Sequence, residues 1–560
     1  MRHVPAFIFA LMLALTSLGC HASPDDPAGQ AKELHDNARR RNALQNLQTI
    51  FSKALGDADG DLNGEPVRKV IDASIDNIVS AYPEAHDRDK EAALGILELL
   101  KNMRDPRALD AFLAALDWEQ DMTEDHAVAG AKGIERIQVP RDRVPEVVRA
   151  LEKALKKAPG RPESRIPKDV RIMDATLRAL GSLKDSAATS SLVSIMSEPS
   201  EDKFDGYFLI RRLAAMQLAS NPDPAAVPAL IEALFYFDEK NPAIRMEDVA
   251  IGTLVSIGRP SLQPLLDLYD GKNQKANQLA EKFGKKVGID GADYRKRIAV
   301  QALGVLGLPE GLRPIFEQAA SDDADVRMNA AIALARINAT GADEKKQRET
   351  LLNIYSKLGT DVSSIMMKGQ LLAIFQHTLD PTFLPLFLDE VKNTKQELPV
   401  LRIGANSAYA FLANKQESEA LRAVIAAEKS NVDGGNKKEL EAALPVLDAA
   451  KECDENIACW KGKLSDKNAL VRRKAAYMLG RLVENDQGVI SALVEVLGDS
   501  DISVRNAALF ALDRVALKGS PEAIAKIDEL LQKEQGTVMG KQFATEAVGI
   551  AGRLKARQGA

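Results

Sequence analysis

The sequence predicts an all-α protein, a solenoid of about a dozen helical hairpins stacked side by side. Three observations carry that expectation: a helical phrase that repeats, a proline-led phrase that alternates with it, and a composition suited to stacked helices. The repeating phrase is Val471-Arg472, Ala475, Leu479, Arg481 and Leu482, and it returns 33 residues later as Val504-Arg505, Ala508, Leu512, Arg514 and Val515. It also stands upstream as Val326-Arg327, Ala330, Leu334, Arg336 and Ile337. At 100° per residue, offsets 0, +4, +8 and +11 fall within about 80° of arc, a narrow apolar stripe on a helix. The alanine lets a neighbouring helix come close. The arginines at +1 and +10 lie on the stripe's two edges, with stems covered and heads wet.

Between the two late copies, Ile490, Leu493, Val494 and Leu497 are spaced i, i+3, i+4, i+7, a second helix that Gly498 can end. One repeat is therefore a helical hairpin. The alternating phrase opens on Asp-Pro, at Asp105-Pro106, Asp223-Pro224 and Asp380-Pro381, with Asp as N-cap and Pro at the first helical position. Counted from each proline, apolar residues follow at +3, +6, +7 and +10: Leu109, Phe112, Leu113 and Leu116; Val227, Leu230, Ile231 and Leu234; Leu384, Phe387, Leu388 and Val391. A second proline comes four residues after the first in Pro224/Pro228, Pro381/Pro385 and Pro260/Pro264, still near enough to the helix start to bend it at modest cost.

Composition agrees. Apolar residues make up 45% of the 560 and aromatics 5%, which suits stacked helices better than a β-sandwich. A chain of this length exceeds one compact core, so it is several domains or a repeat array. The net charge of −6 lacks the electrostatic footprint of a nucleic-acid binder, and no nucleic-acid partner is expected.

Read from the N-terminus, residues 1–22 form an export signal: Arg2 and His3 precede an apolar run, Phe7 to Leu18, too short to span a membrane. Ser17-Leu18-Gly19-Cys20 resembles the lipobox of bacterial lipoproteins, with Ser17 where that family carries an aliphatic residue. Two cleavage readings stand, lipidation at Cys20 and ordinary cleavage after Ala22, and the first is preferred. It implies an exported, envelope-localised protein held to a membrane through an N-terminal lipid. Residues 23–62 hold a linker, a first helix and an acidic turn. In that turn Asp59, Asp61, Asn63 and Gly64 match positions 1, 3, 5 and 6 of a calcium loop, but Val70 stands where the bidentate glutamate belongs. The site is a partial calcium candidate beside the plainer reading of a solvated acidic turn.

Of the three cysteines, Cys20 lies in the signal, leaving Cys453 and Cys459. On one continuous helix their Cα atoms would lie about 9 Å apart, too far to bridge. A disulfide therefore requires Asp454-Glu455-Asn456 to be a turn between helices; two reduced cysteines remain the alternative.

The two phrases together resemble the HEAT-repeat family, most clearly at Asp323–Ile337, Asp466–Leu482 and Asp501–Val515, and with the signal they resemble an exported bacterial HEAT-repeat lipoprotein. The resemblance implies a right-handed α-solenoid whose second helices line a concave, protein-binding face. It also implies a ladder between adjacent repeats, made by Arg327, Arg472 and Arg505. The arrays are expected over 63–269 and 298–557, separated by a basic insertion at 270–297. Within it, Lys282, Lys285 and Lys286 are candidate contacts for an acidic partner. The chain has no H-E-x-x-H, no His-Glu dipeptide of the kind repeated in HEAT-like metal hydroxylases, no G-x-S-x-G elbow, no P-loop and no dinucleotide fingerprint. No catalytic residue and no cofactor are expected. The reading is a scaffold for a protein or peptide partner; the alternative is a HEAT-like lyase or other enzyme or accessory acting on a small ligand, which requires a deep pocket with convergent polar groups.

Overall fold

In the computed structural model, the described residues are 22–119, 122–158, 170–199, 206–394, 399–429, 436–533 and 538–558, with backbone alone within 532–545. The chain divides into two compact units, Met1–Asn221 and Pro222–Ala560. Among the described residues the regular structure is helical, and the one isolated β-bridge joins Phe237 and Arg245. Residues 1–21 of the stretch read as an export signal, Cys20 among them, lie outside the described residues. No helix of the described residues is long and apolar enough to cross a membrane.

The N-terminal unit comprises α1 (Pro27–Glu33), α2 (Arg40–Asp57), α3 (Glu65–Arg88), α4 (Lys90–Met103), α5 (Leu109–Ala115), α6 (Glu124–Arg136), α7 (Val144–Lys157), α8 (Val170–Ser182), α9 (Ser186–Ser197) and α10 (Tyr207–Ser220). Its second helices α4, α6, α8 and α10 pack on one another in chain order, each backed by the helix that precedes it. This is an open row.

The C-terminal unit comprises α11 (Val227–Ala233), α12 (Glu247–Ile257), α13 (Leu262–Tyr269), α14 (Gln274–Val287), α15 (Gly291–Leu306), α16 (Leu312–Ala319), α17 (Ala324–Arg336), α18 (Gly341–Ser356), α19 (Val362–His377) and α20 (Leu384–Lys392). It continues through α21 (Pro399–Leu412), α22 (Lys415–Ala427), α23 (Lys437–Glu441), α24 (Leu444–Cys453), α25 (Ile457–Lys463), α26 (Ala469–Leu482), α27 (Gln487–Val496), α28 (Ile502–Val515), α29 (Pro521–Lys533) and α30 (Val538–Arg557). Its second helices α12, α15, α17, α19, α21, α26, α28 and α30 again pack in chain order, but α30 also packs on α12 and α15. The row closes on itself.

Local chemistry explains the hairpins. The Asp-Pro openings start with a single 3₁₀ turn, Pro106–Ala108, Pro224–Ala226 and Pro381–Phe383, before the α-helix begins. The Asp carboxylates cap that turn, accepting from the amides of Arg107 at 3.1 Å, Ala225 at 2.9 Å and Thr382 at 2.9 Å. The turn hands over to an α-helix whose own first residues include Pro228 or Pro385, so the second proline again meets an amide-free position. The four-residue proline spacing is thus two helix starts in sequence, with no bend needed. Second helices are capped by Asp323, Asn468 and Asp501.

The apolar stripes go inward: Ala330, Leu334, Ala475, Leu479, Ala508 and Leu512 are all fully buried. The small residues set the helix spacing. A Cβ on Gly480 of α26 would lie 2.8 Å from the Cα of Ala511 on α28, closer than real side chains come. The closing contact is of the same kind, since a Cβ on Gly552 of α30 would collide with the Val255 side chain of α12.

The stretch read as a basic insertion is ordinary hairpin structure. Ala276, Ala280 and Phe283 of α14 are buried, and the Phe283 ring lies 5.1 Å from Phe237 and 4.7 Å from Tyr294. It packs because its apolar residues recur at helical spacing beneath the lysines, a pattern the charge count hides.

Candidate functional site

The two units offer different surfaces. In the C-terminal unit the face that would be concave is filled. The C-terminal ends of the second helices converge, and side chains from helices that are not neighbours in the circuit meet across the middle. His377 of α19 stacks on Phe510 of α28 with ring centroids 3.9 Å apart. Gln376 donates to the Tyr477 hydroxyl of α26 at 3.3 Å. Asn338, just past α17, donates to the Asp513 carbonyl at 2.9 Å.

The hub is rich in cations because helix C-termini present carbonyls without partners and carry negative partial charge. Lys474, fully buried, donates to the carbonyls of Ala410 at 3.1 Å and Phe411 at 3.0 Å, and to that of Ala413, at the end of α21. Burial pushes its ammonium pKa far down, while the three carbonyls satisfy its three donors. The +10 arginines serve the same ends. Arg481 donates to Leu412 O, and Arg514 donates to Asn338 Oδ1 at 2.6 Å and to Thr378 O. They are not wet edge residues as the helical stripe implies, because the closed circuit leaves that edge no solvent. Burial lowers the pKa of both Arg336 and Arg514.

At the seam, Asp513 accepts from Arg553 Nε at 2.9 Å and Arg557 Nη2 at 2.7 Å. Burial works against its charge, but the two guanidiniums outweigh it and hold the carboxyl below the usual range. Burial also keeps His377 neutral, its pKa lowered to about 3.

Inside the hub lies a cavity of about 80 Å³ whose lining includes Arg336, His377, Arg514, Glu546 and Arg553. It is well below the roughly 300–1,000 Å³ of organic-ligand sites, so it has no room for a chromophore. A shallower groove of about 690 Å³ runs between α16 and α18, open to solvent, with Lys346 over the Phe316 ring at 4.2 Å.

The N-terminal unit keeps its second-helix face exposed. On α6 and α8 the stripe is charged: Arg171 pairs with Asp125 at 2.8 Å, and Arg178 with Asp174 at 3.0 Å. Desolvation raises the pKa of Glu135 on α6, offset only in part by Arg178 and Arg136. On α10 the stripe is apolar: Leu209 is 55% and Met216 52% exposed. His126 lies beneath this row, 3.3 Å from the Tyr82 hydroxyl, and burial lowers its pKa to about 4.

The residues singled out in the sequence do not converge. Arg472 makes the inter-repeat ladder, bidentate to Asp499 at 2.7 and 2.9 Å. Among the described residues Arg327 instead donates only to its own turn, at Ser321 O and Asp322 O, because Gly359 stands two residues before the next N-cap, Asp361, where Asp499 precedes Asp501. Arg505 donates to Asp499 O at 2.9 Å. Cys453 and Cys459 are joined as a disulfide, Cα atoms 5.3 Å apart, across the turn at Asp454–Asn456. Trp460 beside it donates to Asp454 O at 2.7 Å.

In the acidic turn, Asp61 accepts from the Asn63 amide at 2.9 Å, so its carboxylate serves the turn. The one cluster of metal-ligand type among the described residues is Glu452, Cys453 and Cys459, whose sulfurs are bonded to each other. Lys282 pairs with Glu239 at 2.5 Å, while Lys285 and Lys286 are exposed in the last turn of α14. The hub residues Lys474, His377, Asp513 and Arg553 had no motif to announce them. The buried +10 arginines were the available signal.

Two family models match the sequence, HEAT repeats over residues 461–543 and the PBS lyase HEAT-like repeat over 210–236. The chain carries HEAT repeats. No curated protein matches it. Among solved structures, this HEAT-repeat chain is similar to Kap121p bound to Pho4p, with TM-score 0.45, 11% identity, and coverage of 95% of this chain and 58% of the other. It is also similar to importin beta (TM-score 0.42, 12% identity, 99% and 76% covered) and to the Kap95:Nup1 complex (0.40, 11%, 99% and 87%). The chain spans less than two thirds of the length of Kap121p. Likeness this remote transfers no function.

Proposed function

We propose that this HEAT-repeat chain is a binding scaffold that holds a protein or peptide partner on the second-helix face of its N-terminal unit. It is exported and anchored to a cell-envelope membrane through a lipid on Cys20. The observation that supports the binding surface is the contrast between the two units. The C-terminal unit spends its inner face on its own hub, whereas the N-terminal row leaves α6, α8 and α10 exposed. Large exposed apolar side chains beside charged pairs are the makings of an interface, an apolar anchor site within a polar rim. The charged stripes of α6 and α8 suit a partner segment carrying both signs of charge, and Leu209 and Met216 suit an apolar residue at one end of it.

The test is photo-crosslinking in the cell of origin, with a crosslinker in place of Lys132 or Met216 and, as control, Lys153 on the outer helix α7. The scaffold reading expects one discrete protein adduct from the first two positions and none from the third. Equal labelling at all three, or none anywhere, contradicts it. Anchoring is tested separately by metabolic labelling with an alkynyl fatty acid: Cys20→Ala abolishes incorporation if Cys20 carries the lipid, and unchanged incorporation refutes that assignment.

A further inference from the structure

The hub cavity has more cationic donors than the protein uses. Of its three guanidiniums, Arg553 is engaged by Asp513 and by Val305 O, the latter at 3.1 Å, and Arg514 by Asn338 and Thr378. Arg336 is different. Among the described residues its guanidinium makes no hydrogen bond, and its one ion pair, to Glu546, is 3.9 Å long with both side chains about one-third exposed. A guanidinium is planar, five-donor and never neutral at physiological pH, so it is poorly served by one distant carboxylate.

His377 supplies a neighbouring donor. Its Nδ1 lies 3.4 Å from the Tyr477 hydroxyl, whose oxygen already accepts from Gln376 at 3.3 Å and Arg473 at 3.5 Å. The Tyr477 proton is thus left for His377 Nδ1, which places the imidazole hydrogen on Nε2. Among the described residues Nε2 has no partner. The cavity volume, about 80 Å³, far exceeds the roughly 10–15 Å³ that one water needs. Its lining carries Arg336, Arg514 and Arg553 against Asp513 and Glu546, three positive charges to two negative.

We propose that the hub cavity binds one small oxyanion of phosphate size, held bidentately by Arg336 with the His377 Nε2–H as a further donor. Glu546 is the resident competitor: it sits loosely on Arg336 and swings away when the anion enters. Because the cavity is bounded by α17, α19, α28 and α30, an anion there ties the closing helix to the rest of the circuit and stabilises the closed unit by mass action.

The test is titration of the full chain with sodium phosphate, sulfate and acetate, each at fixed ionic strength made up with chloride, read by calorimetry and thermal unfolding. The proposal expects saturable one-site binding of phosphate or sulfate, with acetate at least tenfold weaker. Arg336→Met weakens binding at least tenfold and Arg336→Lys less. Glu546→Gln tightens binding, a sign that a purely structural ion pair does not produce. Saturable binding of acetate with affinity equal to that of phosphate overturns the assignment to an anion of phosphate size. Absence of saturable binding in the wild type, or undiminished binding in folded Arg336→Met, overturns the proposal.

Discussion

The two units are built from the same hairpin and end in opposite ways. In the N-terminal unit, α4, α6, α8 and α10 make a row with two ends and an exposed face. In the C-terminal unit eight second helices return to their start. The difference tracks a few side chains. Aligned on their buried positions, Ile172, Thr176 and Leu180 of α8 match Val504, Ala508 and Leu512 of α28, and α8 has Ser182 where α28 has Arg514. The serine hydroxyl donates to Ala179 O of its own helix at 2.8 Å, whereas the arginine reaches across to a carbonyl on a helix far away in the chain. A repeat therefore does not dictate its own curvature: the ring is tied by +10 arginines that reach carbonyls at the ends of other second helices, and by small residues on its last helix.

That comparison can be broken at the seam. Asp513→Ala leaves two buried guanidiniums unpaired, and removing one partner of a buried ion pair costs about 3–5 kcal/mol. Urea unfolding is expected to show the C-terminal transition shifted by that amount and the N-terminal one in place. Gly552→Leu forces a side chain into Val255, an overpacking cost of about 1–3 kcal/mol, and early protease cleavage near α30 is its signature.

Acid sharpens the contrast more gently. His377 is held neutral with its pKa near 3, while the unfolded chain protonates near 6.5. Between those values the unfolded state binds the extra proton, so stability falls as pH drops below 6.5, by about 1.4 kcal/mol per unit at most. His377→Phe is expected to flatten that slope, measured from denaturant midpoints at pH 7, 6 and 5. His126, lowered to about 4, gives the N-terminal unit its own acid slope, and His126→Phe removes it without touching the other. The smallest effect is at the open face: Arg171→Ala breaks an exposed pair and changes stability by about 0.2–1 kcal/mol, so any large loss of partner binding there is a contact effect.

The hairpins were legible in the sequence because they are local. Asp-Pro starts, Asp and Asn caps and the Val-Ala-Leu stripe all act within one helix or its neighbour, and the structure places them as their spacing implies. Closure was not legible, since α30 keeps only Ala547, Arg553 and Leu554 of the phrase, without its Val-Arg opening, and meets α12 across some 300 residues of chain. Small residues such as Gly552 permit the close approach of α30 to α12, but small residues alone do not name a partner. The hub was hidden for the same reason. Arg481 and Arg514 look like surface residues on a helical wheel, and only the ring converts that edge into an interior.

Hydrogen exchange of the intact chain under mild denaturant tests the closed circuit most directly. In an open array the last helix frays first; in a ring it is held on both sides. The account predicts that amides of α30 exchange together with those of α12 and α28 in one cooperative opening, while α10 is lost ahead of α6 and α8. Exchange of α30 well before α12 and α28 would contradict it.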